Sequence, residues 1–354
     1  MDIPEKMKAT ILYGPDDLRI EEVPVPELKP HEVLIKVVVD AICPTGVSAV
    51  KLGKQWGPPN VKIIGMAGHE FSGTVVKVGE GVTNVKVGDR VVADTILRCG
   101  KCHYCRTGRD NLCPHKRTLG YLSWAEYIKT VDYQTYKIPE NLTYEEAAFT
   151  EPVACVLHAF EHANIGPGYD VVIIGAGPMG LMHLQMAKNV GGARVIIADL
   201  IDARLEKAKE LGADEVINPS KENLEDRVKE LTEGRGADTV IVTVGIPEVE
   251  AQGVKLAGKG GTVLFFAGVH VHGEPEMILN PNKVHYDEVI VTGAFDKTAE
   301  QFKRALKLIG LGKIKVMPLV SHKFPFSKIH EAIETTAQHK GLKVLVYPSK
   351  WDKV

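Results

Sequence analysis

The stretch Val171-Val172-Ile173-Ile174-Gly175-Ala176-Gly177-Pro178-Met179-Gly180 runs from an uninterrupted apolar segment into a glycine-rich turn. Helical periodicity follows from Leu181 to Val190, so the order is strand, turn and helix. In this context Gly175 permits a tight turn, Gly177 lets the backbone approach a pyrophosphate, and Gly180 allows close contact between helix and strand. The stretch therefore predicts a dinucleotide site at a helix N-terminus within a doubly wound sheet.

The choice of dinucleotide depends on Asp199, which ends the next apolar strand, nineteen positions after Gly180. A carboxylate there can bond both hydroxyls of an adenosine ribose and repel a 2′-phosphate, which favours NAD over NADP. Arg204 is close to Asp199 in the sequence, and its positive charge complicates the preference for NAD. We expect Arg204 on the exposed face of the following helix. The candidate cofactor contacts also include Pro178, Met179, Val244, Gly268 and Phe295.

The pattern of apolar and turn residues changes along the chain. Short β-branched runs separated by turns occupy the first 150 or so residues, which predicts an all-β half. From Tyr169, apolar strands alternate with helices, the pattern of a parallel sheet covered on both faces. After Phe295 come a helix, near 299–309, and a last strand, Leu342–Tyr347. We expect an α/β protein with a β-rich domain at 1–152 and 296–354 and a nucleotide-binding domain at 153–295.

The length and the net charge of the chain limit the domains and the binding partners that can be expected. The 354 residues suggest two domains, and the net charge of −2 argues for a small-molecule partner and against nucleic acid. The N-terminus lacks the apolar core of a signal peptide, and no apolar run is long enough to span a bilayer. We therefore expect a cytoplasmic protein without a membrane partner.

Four of the six cysteines, Cys99, Cys102, Cys105 and Cys113, fall within fifteen positions. This spacing predicts a tetrahedral four-thiolate metal site in a lobe at about 95–115. An iron–sulfur cluster is the alternative, since Cys113-Pro114 is typical of ferredoxin runs, but those close after three residues and here the gap is seven. Zinc is favoured, in a structural role, because four protein ligands leave no position for substrate.

Two other segments carry isolated metal-ligand chemistry, Cys43-Pro44-Thr45 and Gly68-His69-Glu70 before Gly73. Taken in order with the cysteine lobe, Glu151-Pro152, the glycine turn and Gly341-Leu342-Lys343, they make the chain resemble the zinc-dependent medium-chain dehydrogenases over nearly its full length. The polyol (sorbitol) dehydrogenase branch is most similar, through Glu151-Pro152 and residues 318–325. The resemblance implies a GroES-like catalytic domain and a Rossmann domain.

The resemblance also implies a catalytic zinc, the second in the chain, held by Cys43 and His69. Glu70 and Glu151 would be direct or water-bridged carboxylates, and Cys155 is the alternative ligand to Glu151. Glu151 precedes Pro152, a residue suited to open a helix, whereas Cys155 would lie one turn deeper. Zinc would act as a Lewis acid that lowers the pKa of a bound alcohol, from which hydride passes to nicotinamide.

The resemblance implies roles for two more residues. Thr45 would accept the alcohol proton, and Lys343 would contact the cofactor pyrophosphate; the alternatives are a turn hydroxyl and a solvated lysine on an edge strand. The chain departs from the family at Gly46 and Ser48, where members commonly carry Asp and His. We hypothesise that Ser48 or a water molecule completes the proton relay.

The expected function is zinc- and NAD-dependent oxidation of a secondary alcohol, a polyol, sugar alcohol or related metabolite, to a ketone. The alternatives are a threonine or simple-alcohol dehydrogenase of the same family, a non-catalytic zinc module and an iron–sulfur protein. Segments 51–60, with Gln55 and Trp56, and 121–124 fall where family members line the substrate cleft, although packing explains their aromatics equally well. The family forms homo-oligomers, and we expect a tetramer or a dimer paired through strands at 260–266 or 288–292.

Overall fold

The computed structural model describes residues 3–54, 56, 62–269 and 274–352. The chain forms two compact units. Unit 1 comprises the described residues up to Ala154, Thr298–Leu311 and those from Val316 onward, whereas unit 2 comprises Cys155–Lys297 and Gly312–Lys315. Gln55 and residues 57–60 of the expected substrate segment lie outside the described residues.

Unit 1 is rich in strands. Its elements before the break are, in chain order, β1 (Lys6–Gly14), β2 (Asp17–Pro24), β3 (Glu32–Ala41), α1 (Pro44–Leu52), β4 (Phe71–Val78), β5 (Arg90–Ala93), α2 (His103–Arg106), β6 (Tyr127–Val131), β7 (Thr135–Lys137), α3 (Tyr144–Ala148) and α4 (Thr150–His162), which continues into unit 2.

Unit 2 alternates strands and helices. They are β8 (Asp170–Ile174), α5 (Pro178–Asn189), β9 (Arg194–Ala198), α6 (Asp202–Glu210), β10 (Glu215–Ile217), α7 (Leu224–Leu231), β11 (Ala237–Val242), α8 (Pro247–Leu256), β12 (Ala257–Phe265), α9 (Pro281–Tyr286) and β13 (Ile290–Gly293). The chain then returns to unit 1 with α10 (Ala299–Gly310), β14 (Val320–Pro325), α11 (Ile329–Ala337) and β15 (Lys343–Tyr347).

The sheet of unit 2 has the strand order β10-β9-β8-β11-β12-β13, and every neighbouring pair is parallel. Strand β8 is buried along its whole length because it lies inside this sheet. The order reverses between β8 and β11, and ligands of doubly wound sheets bind outside the carboxyl ends of the strands at that point. The predicted doubly wound architecture is confirmed.

The larger sheet of unit 1 has the order β14-β15-β3-β4-β5-β7, with β6 paired to β3. Strand β15 therefore lies inside the sheet, between β14 and β3. An apolar cluster that includes Val33, Ile35, Phe71 and Val75 packs on β3 and β4. A separate antiparallel pair, β1 and β2, completes the strands described for this unit.

The expectation of an all-β first half is wrong in one functional respect, because helix α1 follows β3 directly. Cys43 is its N-cap, and Pro44 occupies the first helical position, where its missing N–H costs nothing. Gly53 ends the helix with φ 65°, a left-handed conformation that favours glycine. Among the described residues, no helix is both long and apolar enough to cross a membrane.

Candidate active site

The glycine turn of unit 2 links β8 to α5. Gly175 has φ 102°, and its N–H donates to the carbonyl of Ala198 at 2.8 Å, which ties the turn to β9. A Cβ on Gly180 would lie 1.8 Å from the carbonyl oxygen of Gly175, so only glycine fits there. A Cβ on Gly177 would meet nothing within 4 Å. The turn thus leaves open space at Gly177, and Pro178 and Met179 begin the helix beside it.

Asp199 braces this turn. Its carboxylate accepts a hydrogen bond from the N–H of Ala176 at 2.7 Å and another from the N–H of Ile201 at 2.9 Å. Further lone pairs of the carboxylate stay available to ribose hydroxyls. Arg204 is not on the exposed face of α6 as expected, because its guanidinium lies 3.8 Å from Asp199 and its side chain is 18% exposed. A cation therefore lies beside the carboxylate of Asp199.

Thr243 is a functional candidate that the sequence analysis missed. Its hydroxyl donates to the carbonyls of Ile174 at 2.9 Å and Gly175 at 3.2 Å, which joins the carboxyl end of β11 to the glycine turn. Its position just after a parallel strand was the available signal. The neighbouring Val244 also reaches the turn, since a Cβ on Gly175 would lie 2.9 Å from its side chain.

Two other cofactor candidates also follow strands of this sheet. Gly268 follows β12, and its carbonyl oxygen would lie 2.3 Å from a Cβ on Gly245, so these loops are in close contact. Phe295 follows β13, and its side chain is 63% exposed. Gly175, Asp199, Val244, Gly268 and Phe295 therefore all lie just after the carboxyl ends of strands, whereas Arg204 lies in α6.

A second cluster forms in unit 1 where three segments meet. The N–H of Ala41 donates to the carbonyl of Glu70 at 2.8 Å, and the N–H of Ile42 donates to the carbonyl of Val344 at 2.9 Å. These backbone bonds join the end of β3 to the residue before β4 and to the start of β15. As a result, ligand atoms of Cys43, His69 and Glu70 lie within 4.8 Å of one another.

His69 is oriented within this cluster. Its Nδ1 lies 3.0 Å from the carbonyl oxygen of Ala67, so a proton on Nδ1 leaves the lone pair of Nε2 for a metal ion. The ring of Trp56 packs edge to face against the imidazole, with centroids 5.2 Å apart. The nearby Trp124 lies in the core and does not line an open cleft, since it is fully buried.

Lys343 does not match the alternative expected for it, a solvated lysine on an edge strand. It is neither solvated nor on an edge strand, because it is buried in β15 and its ammonium lies 2.5 Å from Oε2 of Glu70. Burial alone would lower the pKa of Lys343, but attraction to Glu70 and Cys43 outweighs it and raises the pKa overall. Burial raises the pKa of Glu70, and Lys343 counteracts that effect.

Asp40 is a second residue that the sequence analysis missed. Its fully buried carboxylate accepts hydrogen bonds from the hydroxyl of Ser123 and, at 3.0 Å, from Nε1 of Trp124. Burial raises the pKa of Asp40 to about 7, and the hydrogen bonds from Ser123 and Trp124 oppose this rise. A lone carboxylate inside the apolar run Val37–Ala41 was the available signal.

The other predicted residues of the catalytic shell lie on helices. Glu151 is in the first turn of α4, which begins at Thr150 and so precedes Pro152, and Cys155 lies one turn further. Glu151 is not among the three clustered ligands, although its charge contributes to the raised pKa of Glu70. Thr45 and Ser48 are three positions apart on α1 and so share a face next to Cys43.

The donor set suits a divalent cation. Thiolate, imidazole and carboxylate are the side chains that zinc takes in proteins. Burial and the nearby charge of Glu151 raise the pKa of Glu70. A divalent cation at these ligands would favour the ionised form of the carboxylate.

The cysteine lobe meets the geometry of a four-thiolate site. The sulfur of Cys99 lies 3.9 Å from that of Cys105 and 3.6 Å from that of Cys113, and all four sulfurs lie within 4.8 Å. A tetrahedron with zinc–sulfur bonds of about 2.3 Å has edges of about 3.8 Å. Backbone N–H groups of Lys101 and Cys102 lower the pKa of Cys99 to about 6, which favours its thiolate.

A metal-ligand cluster in one unit and a dinucleotide turn in the other define a metal- and nucleotide-dependent oxidoreductase. Residues 29–140 match the alcohol dehydrogenase GroES-like domain, and residues 178–310 match the zinc-binding dehydrogenase domain. The chain belongs to the zinc-dependent medium-chain dehydrogenase family. This membership confirms the predicted class of enzyme and sets aside the non-catalytic zinc module and the iron–sulfur protein.

Individual relatives place the chain within the family. Sorbitol dehydrogenase of Bacillus subtilis (strain 168) is 32% identical, over 98% of this chain and 99% of the relative. L-threonine 3-dehydrogenase of Bacillus licheniformis is 35% identical, over 97% and 99%. A zinc-binding dehydrogenase of Sinorhizobium meliloti, solved with NADP, has a TM-score of 0.89 and 31% identity, over 98% and 100%. The predicted likeness to sorbitol dehydrogenases is confirmed.

Proposed function

We propose that the protein oxidises a secondary alcohol of a polyol, sugar alcohol or related metabolite to a ketone, with zinc at Cys43 and His69 and with NAD as hydride acceptor. The observation that carries this proposal is the cluster of Cys43, His69 and Glu70, whose donor types suit a divalent cation. The similarity to sorbitol dehydrogenases supports the substrate class. Zinc supplies a Lewis acid that lowers the pKa of the alcohol, and NAD accepts the hydride.

The chain's own residues hold and tune the site. Cys43 and His69 bind the metal, and Glu70 and Glu151 act as direct or water-bridged carboxylates, with Cys155 as the alternative to Glu151. Lys343 stabilises the ionised form of Glu70 against the effect of burial, since the two groups are 2.5 Å apart. In its other proposed role Lys343 contacts the cofactor pyrophosphate. For this contact its ammonium must either move away from Glu70 or interact with Glu70 and the pyrophosphate together.

The proton leaves through hydroxyl groups on α1. Thr45 is exposed and near Cys43, and it takes the alcohol proton. Ser48 lies on the same helical face and is partly buried, so it passes the proton on, alone or through water. If Ser48→Ala leaves turnover and its pH profile unchanged, water alone completes the relay.

NAD is the proposed cofactor, because the carboxylate of Asp199 faces the turn where a 2′-phosphate would be repelled. Arg204 beside it favours the opposite choice, and a solved relative was bound to NADP. The ratio of kcat/KM with NAD to that with NADP tests the preference. We expect Arg204→Ala to raise this ratio and Asp199→Ala to lower it.

The decisive experiment is a screen for NAD reduction over polyols, sugar phosphates, hydroxy amino acids and simple alcohols, together with zinc analysis. We expect two zinc ions per chain and turnover of a polyol. Turnover of threonine instead would favour the second candidate function, which the similarity to L-threonine 3-dehydrogenases supports. Inactivity over every class would overturn the proposal.

Separate observations support our proposals for the cellular compartment and the oligomeric state. Six cysteines without a disulfide fit the reducing cytoplasm. Strand β13 is an edge of the unit 2 sheet, and its Ile290 is 56% exposed, which fits a homo-oligomer paired through this edge. A tetramer is favoured, with a dimer as the alternative.

A further inference from the structure

Unit 1 contains a cavity of about 440 Å³ that neither the metal cluster nor the glycine turn uses. Strands β3, β5 and β15 and the segment around α3 contribute to its wall. The lining includes Val38, Arg90, Tyr144, Glu145, Tyr347 and Lys350. Its volume is in the range of about 300–1,000 Å³ that small-molecule sites occupy.

The guanidinium of Arg90 lies in this wall, and one of its hydrogen-bond donors has no partner within the described chain. One terminal nitrogen donates to the carbonyl of Leu142, and the guanidinium lies over the ring of Tyr144, 4.8 Å from its centroid. The Nε atom is buried and has no hydrogen-bond partner within the described chain. Buried donors in folded proteins are normally satisfied, so this one indicates an acceptor that comes from outside the chain.

Two cations, Arg90 and Lys350, line the cavity. Within the parts of the chain that the structure describes, Arg90 and Lys350 have no carboxylate at ion-pairing distance. Lys350 is exposed at the cavity, and its ammonium lies 5.0 Å from the centroid of the Tyr347 ring. The two cations therefore lack a permanent counter-ion.

The acidic side chains of the wall do not supply that counter-ion. Glu145 accepts hydrogen bonds from Lys323, at 2.8 Å, and from the hydroxyl of Tyr347, and it attracts Lys350 only from beyond ion-pairing distance. Glu140 also lines the cavity, but its side chain is exposed to solvent, where water screens its charge.

We propose that this cavity binds a small anion that carries a carboxylate or phosphate group. Arg90 donates to an oxygen of the anion through Nε, and its delocalised charge attracts the anion. Lys350 adds a second positive charge. The rings of Tyr144 and Tyr347 form apolar walls that suit an organic metabolite better than a bare ion.

Isothermal titration calorimetry on the zinc-loaded protein tests this site, with inorganic phosphate and succinate as separate probes. We expect at least one probe to bind with a dissociation constant of ~1 mM or tighter. Lys350→Met should weaken that binding about fivefold or more and Arg90→Lys about tenfold. Arg90→Lys keeps the charge but removes the Nε donor, and thermal melting verifies that it folds.

Lys77→Met is the matched control, because Lys77 is an exposed lysine on β4 outside the cavity. The glycine turn also attracts phosphate, but it is the same in all variants, so the difference between wild type and Lys350→Met reports the cavity alone. A preference for phosphate or for succinate identifies the anionic group. Equal binding of both probes to wild type and Lys350→Met, or an equal loss in Lys77→Met, would overturn the proposal.

Discussion

The ammonium of Lys343 has one function that does not need any bound cofactor, because it compensates the buried carboxylate of Glu70. We expect Lys343→Met to lower the free energy of unfolding by roughly 3–5 kcal/mol, since it leaves a buried charge unpaired. Lys343→Arg should retain most of the stability. Thermal and denaturant unfolding of the zinc-loaded protein measures both changes.

Lys328→Met provides the comparison, because the pair of Lys328 with Glu331 is more than half exposed. Exposed pairs contribute about 0–1 kcal/mol, so this variant should unfold almost as wild type does. Similar stability of Lys343→Met and Lys328→Met would show that Glu70 is not ionised in the folded chain.

Asp40 predicts a pH dependence. Its pKa is about 7 in the folded chain against 3.8 ordinarily, so the folded chain binds more protons than the unfolded chain between these values. The unfolding free energy therefore falls as the pH rises through this window, by at most ~1.4 kcal/mol per pH unit. Asp40→Asn should remove that slope, while the oxygen of the introduced amide can still accept from Trp124.

The measurement is denaturant unfolding at several pH values in zinc-free protein, because a cation near His69 would favour the ionised Asp40. Other titrating groups cancel when the two proteins are compared at each pH. Parallel pH profiles for wild type and Asp40→Asn would contradict the raised pKa of this carboxyl.

At the scale of elements, two glycines of the same turn have separable roles. Gly180→Ala forces a Cβ to within 1.8 Å of the Gly175 carbonyl, so the turn or α5 must shift. We expect it to lower stability by about 1–3 kcal/mol and to abolish NAD binding. Gly177→Ala has room for its methyl group and should fold normally but bind NAD more weakly.

Melting temperature and NADH fluorescence separate these outcomes. Normal NAD affinity in Gly177→Ala would mean that the cofactor does not approach the backbone of that residue. Normal stability in Gly180→Ala would mean that the close packing of α5 on β8 is not required.

The cysteine lobe should stabilise the structure and leave the chemistry to other residues. Cys105→Ser removes one of four clustered thiols, so we expect one zinc per chain where wild type holds two and a loss of about 2–5 kcal/mol or of assembly. Turnover per remaining zinc should change little. Zinc analysis, unfolding and steady-state kinetics test this together. Abolished turnover with intact stability and assembly would contradict the division of roles.

Most elements could be predicted because their signals are local. The glycine turn combines an apolar strand, three glycines and a helical period within twenty residues, and the structure has the same order. Helix α1 was missed because Gly46 and the valines around it resemble the preceding strand, and only Pro44 indicates a helix start. Missing this helix affects the prediction of the site, because α1 sets the positions of Cys43, Thr45 and Ser48.

At the scale of the whole molecule, the unpredicted features are pairings between distant segments. Nothing near Lys343 in the sequence reveals a carboxylate partner, and the pair with Glu70 exists because β15 lies beside β3 in the sheet. The same is true of Asp40 with Ser123 and Trp124, which only the folded sheet brings together. Strand order is a global property, whereas ligand spacing, as in the cysteine lobe, is local.

Strand β13 leads to the prediction about assembly. It is an edge of the unit 2 sheet, and Ile290 exposes over half of its side chain there, so pairing with a second copy would bury the edge. Ile290→Lys places a charge on that edge and should dissociate the oligomer by at least one step in light scattering. Val87→Lys is the control, since Val87 is similarly exposed, at 51%, in a loop of unit 1. An unchanged mass for Ile290→Lys would mean that this edge is not the interface.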